Sequence, residues 1–269
     1  MSGNLEYVIL GCGSSGGVPR ADGDWGDCDP SNPKNARSRC SLLVRRRSAV
    51  GPEQETTVLI DTSPDLRLQT AAAGVKRVDA VLFTHDHADQ CAGIDDLRVF
   101  FLRHRRRTPC YMDVQTARTL TRRFSYVFEG EGGYPAICDL TALPEHGAAW
   151  SIEGPSGAIP VTTFDQDHGD IKSVGYRIGD VAYSSDVVGL PEESFEALAG
   201  VKVWIVDALR YRPHPTHATV DQALAWIDRV KPERAILTNL HVDLDYETLR
   251  RELPDGVEPA YDGLSFVCD

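Results

Sequence analysis

The sequence predicts an α/β protein of the αββα sandwich type. Short apolar and β-branched runs gather in the early and late parts of the chain, and helical patterning falls between them, which places helices outside two packed sheets. The early strands are expected at Tyr7–Leu10, Ser41–Val44, Thr57–Ile60 and Ala80–Phe83, with a helix over Leu66–Ala73 between the last two. A helix from about Ala92, a strand at Pro109–Met112 and a helix over Val114–Phe124 follow. The glycine-rich stretch Glu129–Gly133 is expected to form an irregular flap over a site. Later strands are expected at Ala149–Ile152, Val161–Phe164, Val174–Ile178, Val181–Ser184, Val203–Val206 and Ala235–Thr238, with a helix near Pro191–Ala199. Another helix begins at Val220, where Val220, Leu224 and Ile227 at i, i+4 and i+7 form one buried stripe.

Composition narrows the function classes. No linker, repeat or low-complexity segment divides the chain, so residues 1–269 are read as one domain. With 42% hydrophobic and 25% charged residues, the chain has the composition of a globular protein with a substantial core. No apolar run approaches the roughly 20 residues needed to span a bilayer, and the N-terminus lacks a basic-then-apolar signal pattern. A cytoplasmic protein without a membrane partner is expected. Seven irregularly spaced cysteines suit a reducing compartment, and Cys91 reads as a packed thiol. The net charge of -12 argues against a nucleic-acid partner, because phosphate backbones are bound through clustered Lys and Arg. The cluster Arg103-His104-Arg105-Arg106-Arg107 reads first as helix C-terminal dipole complementation and otherwise as a rim for phosphorylated substrates. Arg45-Arg46-Arg47 reads as an exposed hairpin end, and His104 and His146 as surface residues.

The densest chemistry lies in Thr84-His85-Asp86-His87-Ala88-Asp89-Gln90. Two imidazoles and a carboxylate at alternating positions follow the buried strand Ala80-Val81-Leu82-Phe83, so they sit at the strand's C-terminal edge, where open α/β sheets place their sites. The pattern points to a metal-dependent hydrolase. By contrast, Gly11-x-Gly13-x-x-Gly16 matches a dinucleotide fingerprint only formally. Val18-Pro19 and the Gly/Asp-rich segment after it leave no helix to receive the phosphates.

The cluster resembles the His-x-His-x-Asp-His signature of the metallo-β-lactamase fold, with Gln90 in place of the last His. Further residues in the same order extend the resemblance from about Leu5 to Asp262: His168, Asp186 after Val181–Ser185, and His241 after Ala235–Thr238. The details are most similar to the phosphodiesterase branch that includes the phosphoribosyl cyclic phosphodiesterase. The matching stretches are Gly11–Pro19, Leu59–Arg67, Gly93–Arg98 and Asp243–Tyr246. Two departures stand out. Only Cys28 occupies the loop where that branch often has a zinc-binding cysteine cluster, and a zinc site needs four ligands. Asn239 holds the place of the branch's last His, with His241 two residues later.

The resemblance implies two divalent metal ions, manganese or zinc. One would lie among His85, His87, His168 and a bridging Asp186, the other among Asp89, Asp186 and His241 with Gln90 nearby. The implied reaction is hydrolysis of a small cyclic or nucleotide-like phosphodiester by a metal-bridging hydroxide, which Asp89 would orient. In Arg210-Tyr211-Arg212-Pro213-His214-Pro215-Thr216-His217, His217 is expected to be the proton donor or phosphate contact, and His214 either a substrate contact or a plain loop histidine. Thr219 and Gln222 form a capping box for the next helix. Asp61, at a strand end, is expected either to hold a ligand histidine from behind or to stabilise a turn. The expected partner is a small phosphorylated substrate, and homodimers are common in the resembled family. Other readings are an endoribonuclease trimming transfer RNA 3′ ends, an ester or thioester hydrolase, and a nucleotide-binding sensor with weakened catalysis.

Overall fold

Strand β1 (Leu5–Gly11) sends Leu5, Tyr7 and Ile9 to one side and Val8 and Leu10 to the other, so both its faces require cover. A second sheet covers one side and helices cover the other. The computed structural model describes residues 5–268. After β1 come β2 (Ser41–Arg46), β3 (Thr56–Ile60), α1 (Leu66–Ala72), β4 (Ala80–Leu82), α2 (Ala88–Cys91) and α3 (Arg98–His104). Next are β5 (Thr108–Met112), α4 (Val114–Arg123), α5 (Ser125–Glu129) and β6 (Cys138–Ala142). The later part holds β7 (Trp150–Ile152), β8 (Ile159–His168), β9 (Ile171–Ile178), β10 (Val181–Ser184), α6 (Glu192–Leu198) and β11 (Val203–Asp207). It closes with α7 (Val220–Val230), β12 (Arg234–Thr238), α8 (Tyr246–Glu252), β13 (Val257–Pro259) and β14 (Ser265–Cys268).

One sheet has the order β14-β1-β2-β3-β4-β5-β6 and the other β13-β12-β11-β10-β9-β8-β7. Tyr7, Leu42, Ile60 and Leu82 of the first meet Tyr176, Tyr183, Ile205 and Ile236 of the second in the central core. Behind the first sheet, Leu59, Val81 and Phe83 pack on Leu97, Phe100, Leu120 and Val127. Behind the second, Trp204, Val206 and Leu237 pack on Leu198, Val220 and Leu249. The layers are therefore αββα, as the sequence predicts. No helix among the described residues is long and apolar enough to cross a membrane.

Parallel pairing aligns the ends that matter. Strand β3 runs parallel to β4, and β10, β11 and β12 run parallel to one another. Asp61, Thr84 and His85 thus leave one sheet at the edge where Asp186, Asp207 and Asn239 leave the other. Two hydrogen bonds tie the sheets there: the Tyr176 hydroxyl donates to the Phe83 carbonyl at 2.6 Å, and the Val174 N–H donates to the Thr84 carbonyl at 2.9 Å.

Several expectations need correction. The helix expected from Ala92 starts as a 3-10 turn over Ile94–Leu97 and becomes α-helical only in α3, while α2 is a separate short turn before it and Gly93 lies between them at a close backbone approach. A Cβ on Gly93 would lie 2.0 Å from the Ser63 carbonyl oxygen. The segment after Glu129 is a turn closed by mutual Glu131–Tyr134 backbone bonds, with the Tyr134 ring near Arg98. Strand β8 continues to His168 rather than stopping at Phe164. Arg45 is buried in β2 and pairs with Glu6 at 2.6 Å, so it is not part of an exposed hairpin end. In the second basic cluster, Arg106 bonds Asp79 and Arg107 bonds Asp139, while Arg105 takes the left-handed cap position of α3. Arg103 and His104 end the last turn of α3, in line with the dipole reading, and Arg106 and Arg107 stay about half-exposed in their ion pairs.

Candidate metal centre

His85 follows β4 and is fully buried, with its Nε2 lacking any hydrogen-bond partner. A buried polar atom left unmatched costs about 1–3 kcal/mol, so a group that accepts this lone pair is part of the design. His85 Nδ1 lies 3.0 Å from Thr84 Oγ1, whose hydroxyl is 2.8 Å from Asp61 Oδ2. With Asp61 ionised, the hydroxyl donates to the carboxylate and accepts from Nδ1–H, which leaves Nε2 bare. Asp61 also accepts the Thr84 N–H at 2.8 Å. Asp61 therefore reaches His85 only through Thr84. Burial raises its pKa well above the ordinary carboxylate range, against the two Thr84 hydrogen bonds.

His168, at the end of β8, donates Nδ1–H to the Thr216 carbonyl at 2.7 Å, which also leaves its Nε2 bare. His87 brings Nδ1 to within 3.2 Å of that Nε2. The three imidazoles of His85, His87 and His168 thus converge. Burial lowers His85 to about 3 and also lowers His168, so both rings are neutral and ready to bind a cation.

Asp186 completes the group. Its Oδ1 lies 4.0 Å from His85 Nε2, 3.9 Å from His168 Nε2 and 3.8 Å from His217 Nε2. Burial raises its pKa, but the imidazoles of His85, His217 and His168 outweigh burial and hold it below the usual carboxylate range. Its Oδ2 accepts from Ser185 Oγ at 2.5 Å and from Gln90 Nε2 at 3.0 Å. Asp61, Asp186 and Asn239 all adopt left-handed backbone, with φ of 63°, 57° and 62°. That conformation is uncommon outside glycine but tolerated by Asp and Asn, whose short polar side chains bond locally. It turns the three side chains out of their strands at the site.

His217 stands opposite the triad, its ring centroid 4.8 Å from that of His168. Its Nδ1–H donates to Asp207 Oδ2 at 2.8 Å, and the same oxygen accepts the Val187 N–H at 3.0 Å. Burial lowers the His217 pKa, but the charge and hydrogen bond of Asp207, with Asp186 and Asp89, lift it to about 9. Burial pushes Asp207 up to about 6 despite His217. The two shifts pull apart, since one marks a strong pair and the other a carboxylate that burial resists. The two hydrogen bonds to one oxygen favour the ionised carboxylate. The Asn239 amide also lies 3.1 Å from His217 Nδ1.

Asp89 is half-buried beside the cluster, its pKa raised by burial and by Asp186. Gln90 is fully buried between Asp89 and Asp186. His214 accepts from the Thr216 N–H and faces the His217 ring at 5.1 Å. His241 does not join the cluster. Its Nε2 is 2.6 Å from the Arg20 guanidinium and its Nδ1 3.2 Å from Asp243, at the outer rim. Beside Asp89 a cavity of about 640 Å³ is lined by Ser15, Gly16, Arg20 and Arg39. The glycine-rich loop therefore borders the site as a turn, with no helix behind it. Thr219 caps α7 as expected, while the Gln222 side chain donates to the Val188 carbonyl instead of closing the box.

A model of the β-lactamase superfamily domain matches residues 56–239. A diphosphatase from the PhnP family, known from its crystal structure, is 33% identical, with a TM-score of 0.85 over 98% of this chain and 97% of that one. The chain belongs to the β-lactamase superfamily and, within it, to the PhnP family. The His/Asp cluster fits the metal site of that superfamily. It is also 31% identical, over 98% of its length, to an octanoyltransferase of Porphyromonas gingivalis, of which it spans 52%. The Zn2+-bound PqqB from Methylobacterium extorquens shares the superfamily fold at 20% identity and a TM-score of 0.71, over 97% of this chain and 99% of that one.

The sequence reading did not single out Thr84, Thr216 or Asp207. Asp207 carried a readable signal, since a carboxylate ends the apolar run Val203–Val206 just as Asp61 ends Val58–Ile60. Thr216 acts through its backbone carbonyl, which no residue pattern reveals.

Proposed function

We propose that the chain hydrolyses a small cyclic or nucleotide-like phosphodiester, with His217 as the proton donor to the leaving oxygen. The observation that supports this most directly is the Asp207–His217 pair, whose free Nε2 faces the metal cluster across 3.8 Å from Asp186. His85, His87, His168 and Asp186 would hold a divalent ion, manganese or zinc, which when bound supplies Lewis-acid activation of water and phosphoryl oxygen. The chain's own groups do the rest. Asp89 positions the attacking water as a hydrogen-bond acceptor, Arg20 and Arg39, paired with Asp24 and Asp65, line the neighbouring cavity, and Asp207 fixes His217 in the tautomer that presents Nε2–H.

Phosphoanhydride cleavage is a second reading, favoured by the 33% identity to the PhnP-family diphosphatase. Transfer RNA processing has less support, because Arg106 and Arg107 are engaged in ion pairs within the fold. The test compares kcat/KM of the metal-loaded protein on a ribose cyclic phosphodiester, a nucleoside diphosphate and an acyl thioester. Preference for the cyclic diester supports the proposal. Preference for the diphosphate moves the substrate to the anhydride, and turnover of the thioester alone overturns phosphoryl transfer.

A further inference from the structure

We infer that this chain holds one divalent ion, and that the Gln90 carboxamide takes the place of a second. Its Nε2 lies 3.0 Å from Asp186 Oδ2 and 3.3 Å from Asp89 Oδ2, so its two N–H groups bond one carboxylate each. Both carboxylates are thereby matched without a cation between them. Asp186 Oδ2 accepts from Ser185 Oγ as well, so the oxygen that faces Gln90 already receives two hydrogen bonds, while Oδ1 faces the imidazoles. The opposite amide orientation would bring Gln90 Oε1 against two carboxylate oxygens, three acceptors with no donor among them. The observed orientation leaves Oε1 buried and unpartnered instead, the lesser cost for a neutral group.

Of the nitrogens near Asp89, those of the downstream candidates are already engaged, which leaves His217 Nε2, a member with His168 and Asp186 of the other potential ligand group among the described residues. His241 Nε2 lies against the Arg20 guanidinium, and the Asn239 amide lies against His217 Nδ1. His217 Nε2 could reach such an ion only by giving up its proton. The Gln90 bridge therefore has a functional consequence: it keeps Asp89 and Asp186 together while leaving His217 free to act as an acid.

The inference rests on the metal-hydrolase reading, and metal content separates the two. The full chain is dialysed against excess Mn2+ or Zn2+, the bound ions are counted by elemental analysis, and the Mn2+ form is examined by electron paramagnetic resonance. One ion per chain, with the spectrum of isolated Mn2+, is expected. Two ions, or a spin-coupled Mn2+ pair, would overturn the inference and leave the hydrolase reading standing, whereas no ion would overturn both. Gln90→His and Gln90→Glu each replace the amide with a stronger ligand, and at least one of them is expected to raise the count from one to two. If both fold, by circular dichroism, and both remain at one, Gln90 is not what limits the site.

Discussion

His217 carries the main chemical prediction. Positioned acids contribute roughly 10²–10⁴-fold to rate, so His217→Ala is expected to lose turnover by about that factor while keeping its metal, read by kcat beside metal content. Asp207→Asn removes the charge that lifts the His217 pKa to about 9, so it is expected to move the alkaline limb of the kcat/KM profile to lower pH. For the unmodified protein, deprotonation of His217 removes the donor as pH rises through about 9. A loss of rate on the alkaline side is expected, and a profile flat across pH 8 to 10 (roughly the His217 range) would contradict the assignment. At this scale the sequence was legible where several ligand types lie close together, as in His85-Asp86-His87-Ala88-Asp89. It was misleading at His241, because its position three residues after the end of β12 does not reveal that Arg20 claims its ring nitrogen. Asp207 escaped notice because its role depends on His217, ten residues away and brought beside it only by the fold.

The ends of β3 and β4 are coupled by Thr84, which makes the strand edge a test of how the site is held. Outer partners of metal ligands are typically worth 10–100-fold in affinity. Thr84→Val keeps the β-branched shape but removes the hydroxyl between Asp61 and His85, and is expected to weaken metal binding by about that factor in a competition titration with a chelating dye. Unchanged affinity would mean that His85 needs no such support. The N-terminal loop offers a second test. Buried Arg37 donates to the Leu244 carbonyl at 2.7 Å, the His241 carbonyl at 3.3 Å and Asn35 Oδ1 at 3.2 Å, close to the lone Cys28. It cross-links the segment where the resembled branch often uses cysteines and zinc. Arg37→Ala is expected to cost about 3 kcal/mol in urea unfolding, since each orphaned buried group costs roughly 1–3 kcal/mol. Periodicity predicted β1 to β4, β9 to β12 and α7 well because their apolar runs are dense, β1 to β4 being buried on both faces. It missed β6, β13, β14 and α8, whose short or mixed patterns are fixed by neighbours. Asp245, for instance, caps α8 while accepting from the Asn35 side chain and the Asp29 N–H, contacts more than 200 residues distant in sequence.

For the whole molecule, the layered fold was legible because alternating strands and amphipathic helices each state which face is buried, and the αββα arrangement satisfies them together. The pairing of β14 with β1 was not, since only the complete fold brings the two ends of the chain together. A metal bound at the junction of the two sheets stabilises the folded form alone. At a free-ion level about 100 times the Kd that is worth about 2.7 kcal/mol. Chelation is therefore expected to lower Tm by roughly 5–10 °C, taking 2–4 °C per kcal/mol, as scanning calorimetry would read. The most direct test of the central claim is hydrolysis of an aryl phosphodiester by metal-loaded protein, run beside a chelator-treated sample and His217→Ala. Turnover that disappears with the metal, returns on its addition and falls steeply in His217→Ala is the expected result. No hydrolysis with the metal verified as bound, or full activity in His217→Ala, would contradict the account.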